Sequence, residues 1–146
     1  MERGDTDVIA NLDIYVAGPP CQSFSAAGLG DAKGANLFER SLRMIFAKHP
    51  QVFILENVEG LVVRHAEVLA KLLHNFQQEG TYNIYAKVLN SASVGGVPHH
   101  RPRLYVVGLL KTVDDGTFTW PAAYEHGGMR TILEAKEKRF KLETWP

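Results

Sequence analysis

The sequence predicts an α/β fold, a mixed and mostly parallel sheet flanked by helices, and three observations carry that prediction. Apolar runs of strand length alternate with two longer segments of helical periodicity. The runs are closed by glycine and proline or by polar residues, the punctuation expected where strands turn into loops or helices. The 146 residues suffice for one domain with a modest core.

Residues 1–12 are polar and are expected to be loose. "DIYVAG", 13–18, reads as a buried strand stopped by Gly-Pro-Pro. Residues 19–35 carry Gly28, Gly30 and Gly34 with little periodicity and read as a mobile loop. Asn36 with Glu39 three residues on has the form of a capping box, opening a helix over 36–48 whose apolar face is Phe38, Leu42, Ile45 and Phe46. Pro50 stops it. "VFILENV", 52–58, is a second strand, apolar on both faces until Glu56. A second helix, 66–79, carries Val68, Leu69, Leu72, Leu73 and Phe76 at helical spacing, with Gly80 as its C-terminal cap. "YNIYAKVLN", 82–90, alternates enough for a third strand, and "RLYVVGLL", 103–110, is a fourth beyond the turn-rich "SASVGGVPHHRPR". Past Lys111 the pattern weakens.

Composition excludes more than it selects. Sixteen basic residues balance sixteen acidic ones, so overall charge argues neither for nor against a polyanionic partner. One cysteine rules out an internal disulfide and any Cys-x-x-Cys zinc motif. No run approaches membrane-spanning length and the first residues lack the apolar core of a secretion signal, so a reducing intracellular compartment is expected. His99 and His100 are adjacent in an extended segment, so they face opposite sides and lack a third ligand, and no metal is expected.

The single cysteine stands in "VAGPPCQSFS", after two prolines rather than inside the apolar run. Proline fixes its own φ and pushes its predecessor towards extended backbone, so the Cys21 side chain is expected to take a preset direction at a strand end. In open α/β sheets ligands bind beyond the carboxyl ends of strands. Cys21 follows the first strand, Glu56 and Asn57 close the second, and Arg101 and Arg103 stand at the mouth of the fourth. Neighbouring guanidiniums lower a thiol's pKa and make it a nucleophile. Partial desolvation of a strand-end carboxyl favours its protonated form. Such a pair suits addition of a nucleophile to an electron-poor ring with protonation of a ring nitrogen.

"GPPCQSFS", then "ENV", then "RPR" before an apolar strand resembles the DNA (cytosine-5) methyltransferases, whose Pro-Cys, Glu-Asn-Val and Arg-x-Arg motifs come in this order. "GANLF" is similar to the family's segment that touches the methyl donor. The resemblance covers residues 13–121 and implies part of a Rossmann-like methyltransferase domain. It implies S-adenosylmethionine as cofactor and a cytosine flipped out of DNA as substrate. Cys21 would attack carbon 6, Glu56 would hold and protonate ring nitrogen 3, Arg103 would assist Cys21, and Arg101 would help hold the site. Pro20 and Leu37 match positions that touch the donor, and Gln22, Ser23 and Asn57 stand beside the substrate. Residues 22–35 match the family's mobile catalytic loop.

His99 replaces the family's usual Gln. Residues 1–12 lack the glycine-rich donor motif, and residues 122–146 read as the start of a linker towards a target-recognition region. The expectation is therefore an incomplete domain: a fragment, or one part of a split enzyme completed by a complementary chain. Two other functions share these motifs, a tRNA cytosine-5 methyltransferase and a non-catalytic regulatory relative. Retention of both Cys21 and Glu56 favours catalysis. The compartment would be the nucleus in a eukaryote or the cytoplasm in a bacterium. Lys136, Lys138, Arg139 and Lys141 alternate with glutamates and read as a solvated helix face rather than a phosphate contact.

Overall fold

A computed structural model describes residues 11–19, 32–97 and 99–123, and the side chains of these except for 32–38. The elements in order are β1 (Ile14–Ala17), α1 (Ala32–Lys48), β2 (Val52–Val58), α2 (Gly60–Val63), α3 (Ala66–Glu79), β3 (Tyr82–Asn90), α4 (Ser91–Val94) and β4 (Pro102–Leu110). The four strands form one sheet in the order β1-β2-β4-β3. The described residues divide into two compact units, one within 11–88 and 103–119, the other within 89–102 and 120–123.

β1 and β2 are parallel, with Ala17 beside Leu55, while β2 and β4 are antiparallel, with Val58 beside Arg103. Lys111 N–H donates to Thr81 O and Ser91 N–H to Arg101 O, so β3 and β4 also run in opposite directions. The sheet is thus mixed, and less parallel than the sequence suggested. The reason is the short connection from β3 to β4, residues 91–101, which holds only one turn of helix; a parallel return needs a longer crossover. The reversal brings the first residues of β4 to the carboxyl edge of β2.

Alternation along β2 decides what packs. Phe53, Leu55 and Asn57 are buried, while Ile54, Glu56 and Val58 are only partly covered. The core joins Phe53 and Leu55 to Leu42 and Ile45 of α1, Leu61 of α2, Leu72 and Phe76 of α3, Tyr82 of β3, and Leu104 and Val106 of β4. Phe53 stacks on Phe76 with centroids 4.8 Å apart and meets Tyr82 edge-on at 5.0 Å. Opposite Phe53 stands Gly108. A Cβ there would lie 2.0 Å from Phe53 Cε1, so any side chain forces the ring out of its stack. Gly108→Ala is expected to destabilise the fold by about 3 kcal/mol or more, the upper range for overpacking a filled core. Equilibrium urea unfolding measures this, and a loss below about 1 kcal/mol would mean that the ring moves freely.

Helix α1 begins at Ala32, four residues before the expected capping box, so Asn36 lies inside the helix and does not cap its start. An internal glycine such as Gly34 costs a helix only about 1 kcal/mol, which the burial of Leu42 and Ile45 further along offsets. At the other end His49 takes φ 43°, and its N–H donates to Ile45 O before Pro50 ends the helix. Helix α3 ends as its sequence implies: Gly80 has φ 74° and its N–H donates to Phe76 O.

Two polar tethers lie under β3. Tyr82 OH donates to Pro50 O at 2.8 Å, and burial, with the nearby charge of Glu79 second, pushes the phenol up to about 12. A pKa raised on folding contributes stability that is complete below the unfolded value near 10 and is lost as pH rises towards 12. Tyr82→Phe is expected to cost about 1 kcal/mol at neutral pH and to lose less stability than wild type between pH 9 and pH 11. Denaturant midpoints at the two pH values test this; equal alkaline losses in the two proteins would contradict it. The second tether is Asp114, which accepts from Asn83 Nδ2 at 2.7 Å and Tyr85 OH at 2.9 Å. The Asn83 bond first, then those from Gly116 N–H and Tyr85, holds the Asp114 carboxyl below the usual carboxylate range.

Candidate active site

Strand direction assembles the site at the carboxyl edge of β1 and β2. Glu56 is the penultimate outward residue of β2, and Arg103 stands across from Val58 at the start of β4. Residues diagonal across an antiparallel pair lie on one face within reach of long side chains, and here Arg103 Nε donates to Glu56 Oε1 at 3.0 Å. Both side chains are partly sheltered, Arg103 at 20% and Glu56 at 35% exposure. A charge-assisted bond of this length fixes the carboxylate plane more firmly than a solvated rotamer would. A Cβ on Gly18 would stand 3.0 Å from Glu56 Oε2, so the glycine makes room for the carboxylate to lie against the end of β1.

Asn57 faces the other way. It is 6% exposed, its Nδ2 donates to Pro19 O at 3.4 Å, and its Oδ1 accepts from Val58 N–H at 2.8 Å. The amide thus reaches the corner that leads through Pro20 to Cys21. Arg101 belongs to the second compact unit, where its N–H donates to Asn90 Oδ1 at 3.0 Å and its side chain is exposed. Asn90 also caps α4 by accepting from Ala92 N–H, and Ser91 Oγ donates to His99 O, so the turn before the arginines is held by side chains.

Of the residues expected at the site, Glu56 and Arg103 are in contact, and Asn57 is bonded to the Pro19 corner. Pro20, Cys21, Gln22, Ser23 and the basic residues 136–141 lie outside the described residues, as does the side chain of Leu37. Two contributors were missed in the sequence, Gly18 and Pro19, as was the Asn90 cap within the second unit. A glycine before two prolines and an Asn-Ser step before a short helix were the available signals. A hollow of about 580 Å³ lies among Phe76, Gln77, Tyr82, Asn83, Ile84 and Lys111, and holds none of the expected site residues. Among the described residues no three of His, Cys, Asp and Glu gather closely enough to hold a metal ion.

A mixed sheet flanked by helices, with a carboxylate–guanidinium pair beside the Gly18–Pro19 end of β1, defines an α/β protein. The model of the C-5 cytosine-specific DNA methylase family matches residues 1–144, and the chain belongs to that family. It is 41% identical over 137 residues to the type II methyltransferase M.NlaX of Neisseria lactamica, covering 89% of this chain and 42% of the relative. It is 36% identical over 117 residues to M.Bsp6I of a Bacillus strain, covering 77% and 37%. The solved methyltransferase EhMeth of Entamoeba histolytica shares the fold, with a TM-score of 0.55, 18% identity, and coverage of 78% of this chain and 36% of that one. The chain therefore spans about two fifths of the length of these curated relatives.

Proposed function

We propose that this segment forms the catalytic edge of an enzyme that methylates carbon 5 of cytosine in DNA, with Cys21 as nucleophile. The Glu56–Arg103 pair beside the corner that leads to Cys21 carries the reading. The Cys21 sulfur adds to carbon 6 of a cytosine turned out of the duplex, and the ring's electrons move towards nitrogen 3. Glu56 acts in its protonated form, with the proton on Oε2 rather than on the Oε1 that Arg103 bonds. It holds that nitrogen and the adjacent amino group, gives the proton to nitrogen 3 and becomes the carboxylate that Arg103 pairs. Arg103 keeps Glu56 oriented through Oε1 and places positive charge at the edge that the thiolate approaches. Carbon 5 then carries the electron density and accepts a methyl group. S-adenosylmethionine, the donor expected for this family, supplies that group when bound. A water molecule takes the carbon 5 proton, the 5,6 double bond re-forms as the cysteine leaves as its thiolate, and nitrogen 3 returns its proton to Glu56.

Pro20 and Leu37 are the residues proposed to meet the donor, Gln22 and Ser23 the substrate, and Arg101 the neighbourhood of the site. Turning a base out of the stack costs a few kcal/mol, which contacts on both sides of the DNA must offset. Enclosure of the donor and recognition of the target sequence are assigned to polypeptide outside residues 1–146, in a longer protein or a complementary chain. The direct test is to put residues 1–146 in place of the matching segment of the Neisseria lactamica relative. Methyl transfer to duplex DNA, read as 5-methylcytosine after digestion to nucleosides, is the expected result. Product in tRNA alone, or none in a folded chimera that binds S-adenosylmethionine, would overturn the proposal.

A further inference from the structure

Asn57 sits where an apolar residue would be expected. It follows Leu55 on the buried face of β2, stands opposite buried Leu104, and is itself 6% exposed. Burying an amide is costly unless its hydrogen bonds are made, and both of its bonds go to backbone. The location explains the acceptor. The parallel ladder between β1 and β2 runs through Ala17 beside Leu55. Two residues further along each strand stand Pro19 and Asn57. Proline has no N–H to give to a ladder, so backbone pairing runs out where the corner begins. On the β2 side Val58 N–H is taken by Asn57 Oδ1, and Asn57 Nδ2 donates to Pro19 O in place of a backbone N–H, at 3.4 Å. The bond is long, and Pro19 is buried, so losing it would leave a carbonyl on a buried residue short of a partner.

We propose that Asn57 is a positioning residue, a side-chain rung that extends the β1–β2 ladder to Pro19 and so sets the corner from which Cys21 emerges. Pro20, between the two, has its φ locked by its ring, which leaves few soft torsions from the Pro19 carbonyl to Cys21. Glu56 and Asn57 then divide the labour of adjacent positions. One presents its carboxylate on the open face, and the other ties the end of β1 to the same β2 backbone from the buried face. The inference rests on the reading of Cys21 as the nucleophile.

Cys21 is the only cysteine, so a thiol reagent reports on it alone in the 146-residue chain. The rate of iodoacetamide alkylation, followed by intact mass across pH 5 to 10, gives the thiol pKa in wild type, Asn57→Ala and Asn57→Leu. The leucine variant keeps side-chain volume where alanine leaves a gap, and circular dichroism selects the variants that fold as wild type does. Wild type should titrate well below the ordinary thiol value of about 8.5. In the folded variant the rate at pH 7 should fall about fivefold to tenfold as the profile moves back towards that value. A purely structural asparagine would lower the melting temperature and leave the profile in place. A folded variant with a thiol as activated as wild type overturns the inference alone. A wild-type thiol at the ordinary value overturns the nucleophile reading and the inference with it.

Discussion

Cys21→Ser, introduced into the chimera that carries residues 1–146, is expected to lower methyl transfer by roughly 10⁴–10⁶-fold, the order seen when an enzyme loses its nucleophile. A serine hydroxyl is almost wholly protonated near neutral pH, so it cannot add to carbon 6 as a thiolate does. Nothing else in the chain can replace it, because Cys21 is the only thiol. DNA binding should change little, since that single atom contributes little contact. A tritiated-methyl assay beside a gel-shift titration separates the two effects. Transfer reduced less than about tenfold would mean that another group attacks the base.

Glu56→Gln should cost about 10²–10⁴ in transfer rate, the range for removing a positioned general acid. The substitution keeps the shape and one carbonyl oxygen that can still accept from Arg103, so the strand edge should stay intact. What disappears is the proton that the ring nitrogen needs as electrons move onto it. The amide also turns an N–H towards either Arg103 or the end of β1 at Gly18, where the carboxylate now lies. A folded Glu56→Gln protein with transfer within about threefold of wild type would remove Glu56 from the chemistry. The expected signature is a loss in the rate of a single turnover with little change in DNA affinity, because the deficit falls on the transition state.

Much of the framework was legible because local signals and tertiary packing agree. "VFILENV" and "YNIYAKVLN" are strands over the residues that the apolar runs delimit, and α3 runs from Ala66 to Glu79 with Gly80 left-handed behind it. Agreement failed where the deciding contact is distant in sequence. The start of α1 depends on what its length gains from packing, which the Asn36–Glu39 pattern does not contain. The direction of β4 follows from the short connection before it, a length that was visible but outweighed by the alternation of strands and helices. At the site, Glu56 and Arg103 stood out by residue type and by their places at strand ends. Their contact needs the diagonal register of β2 on β4, which no motif spells out. Gly18 and the Pro19–Asn57 bond were hidden for the same reason: they are consequences of parallel β1–β2 pairing, 38 residues apart in the chain.

Covalent capture tests the central claim most directly. A duplex with 5-fluorocytosine at the target position blocks loss of the carbon 5 substituent, so the enzyme is held on the base after methyl transfer. Incubated with this duplex and S-adenosylmethionine, the chimera carrying residues 1–146 should form a denaturant-resistant complex. Its digestion should yield one DNA-linked peptide containing Cys21, and Cys21→Ser should yield none. A linked peptide that lacks Cys21, or a complex that survives Cys21→Ser, would contradict the account.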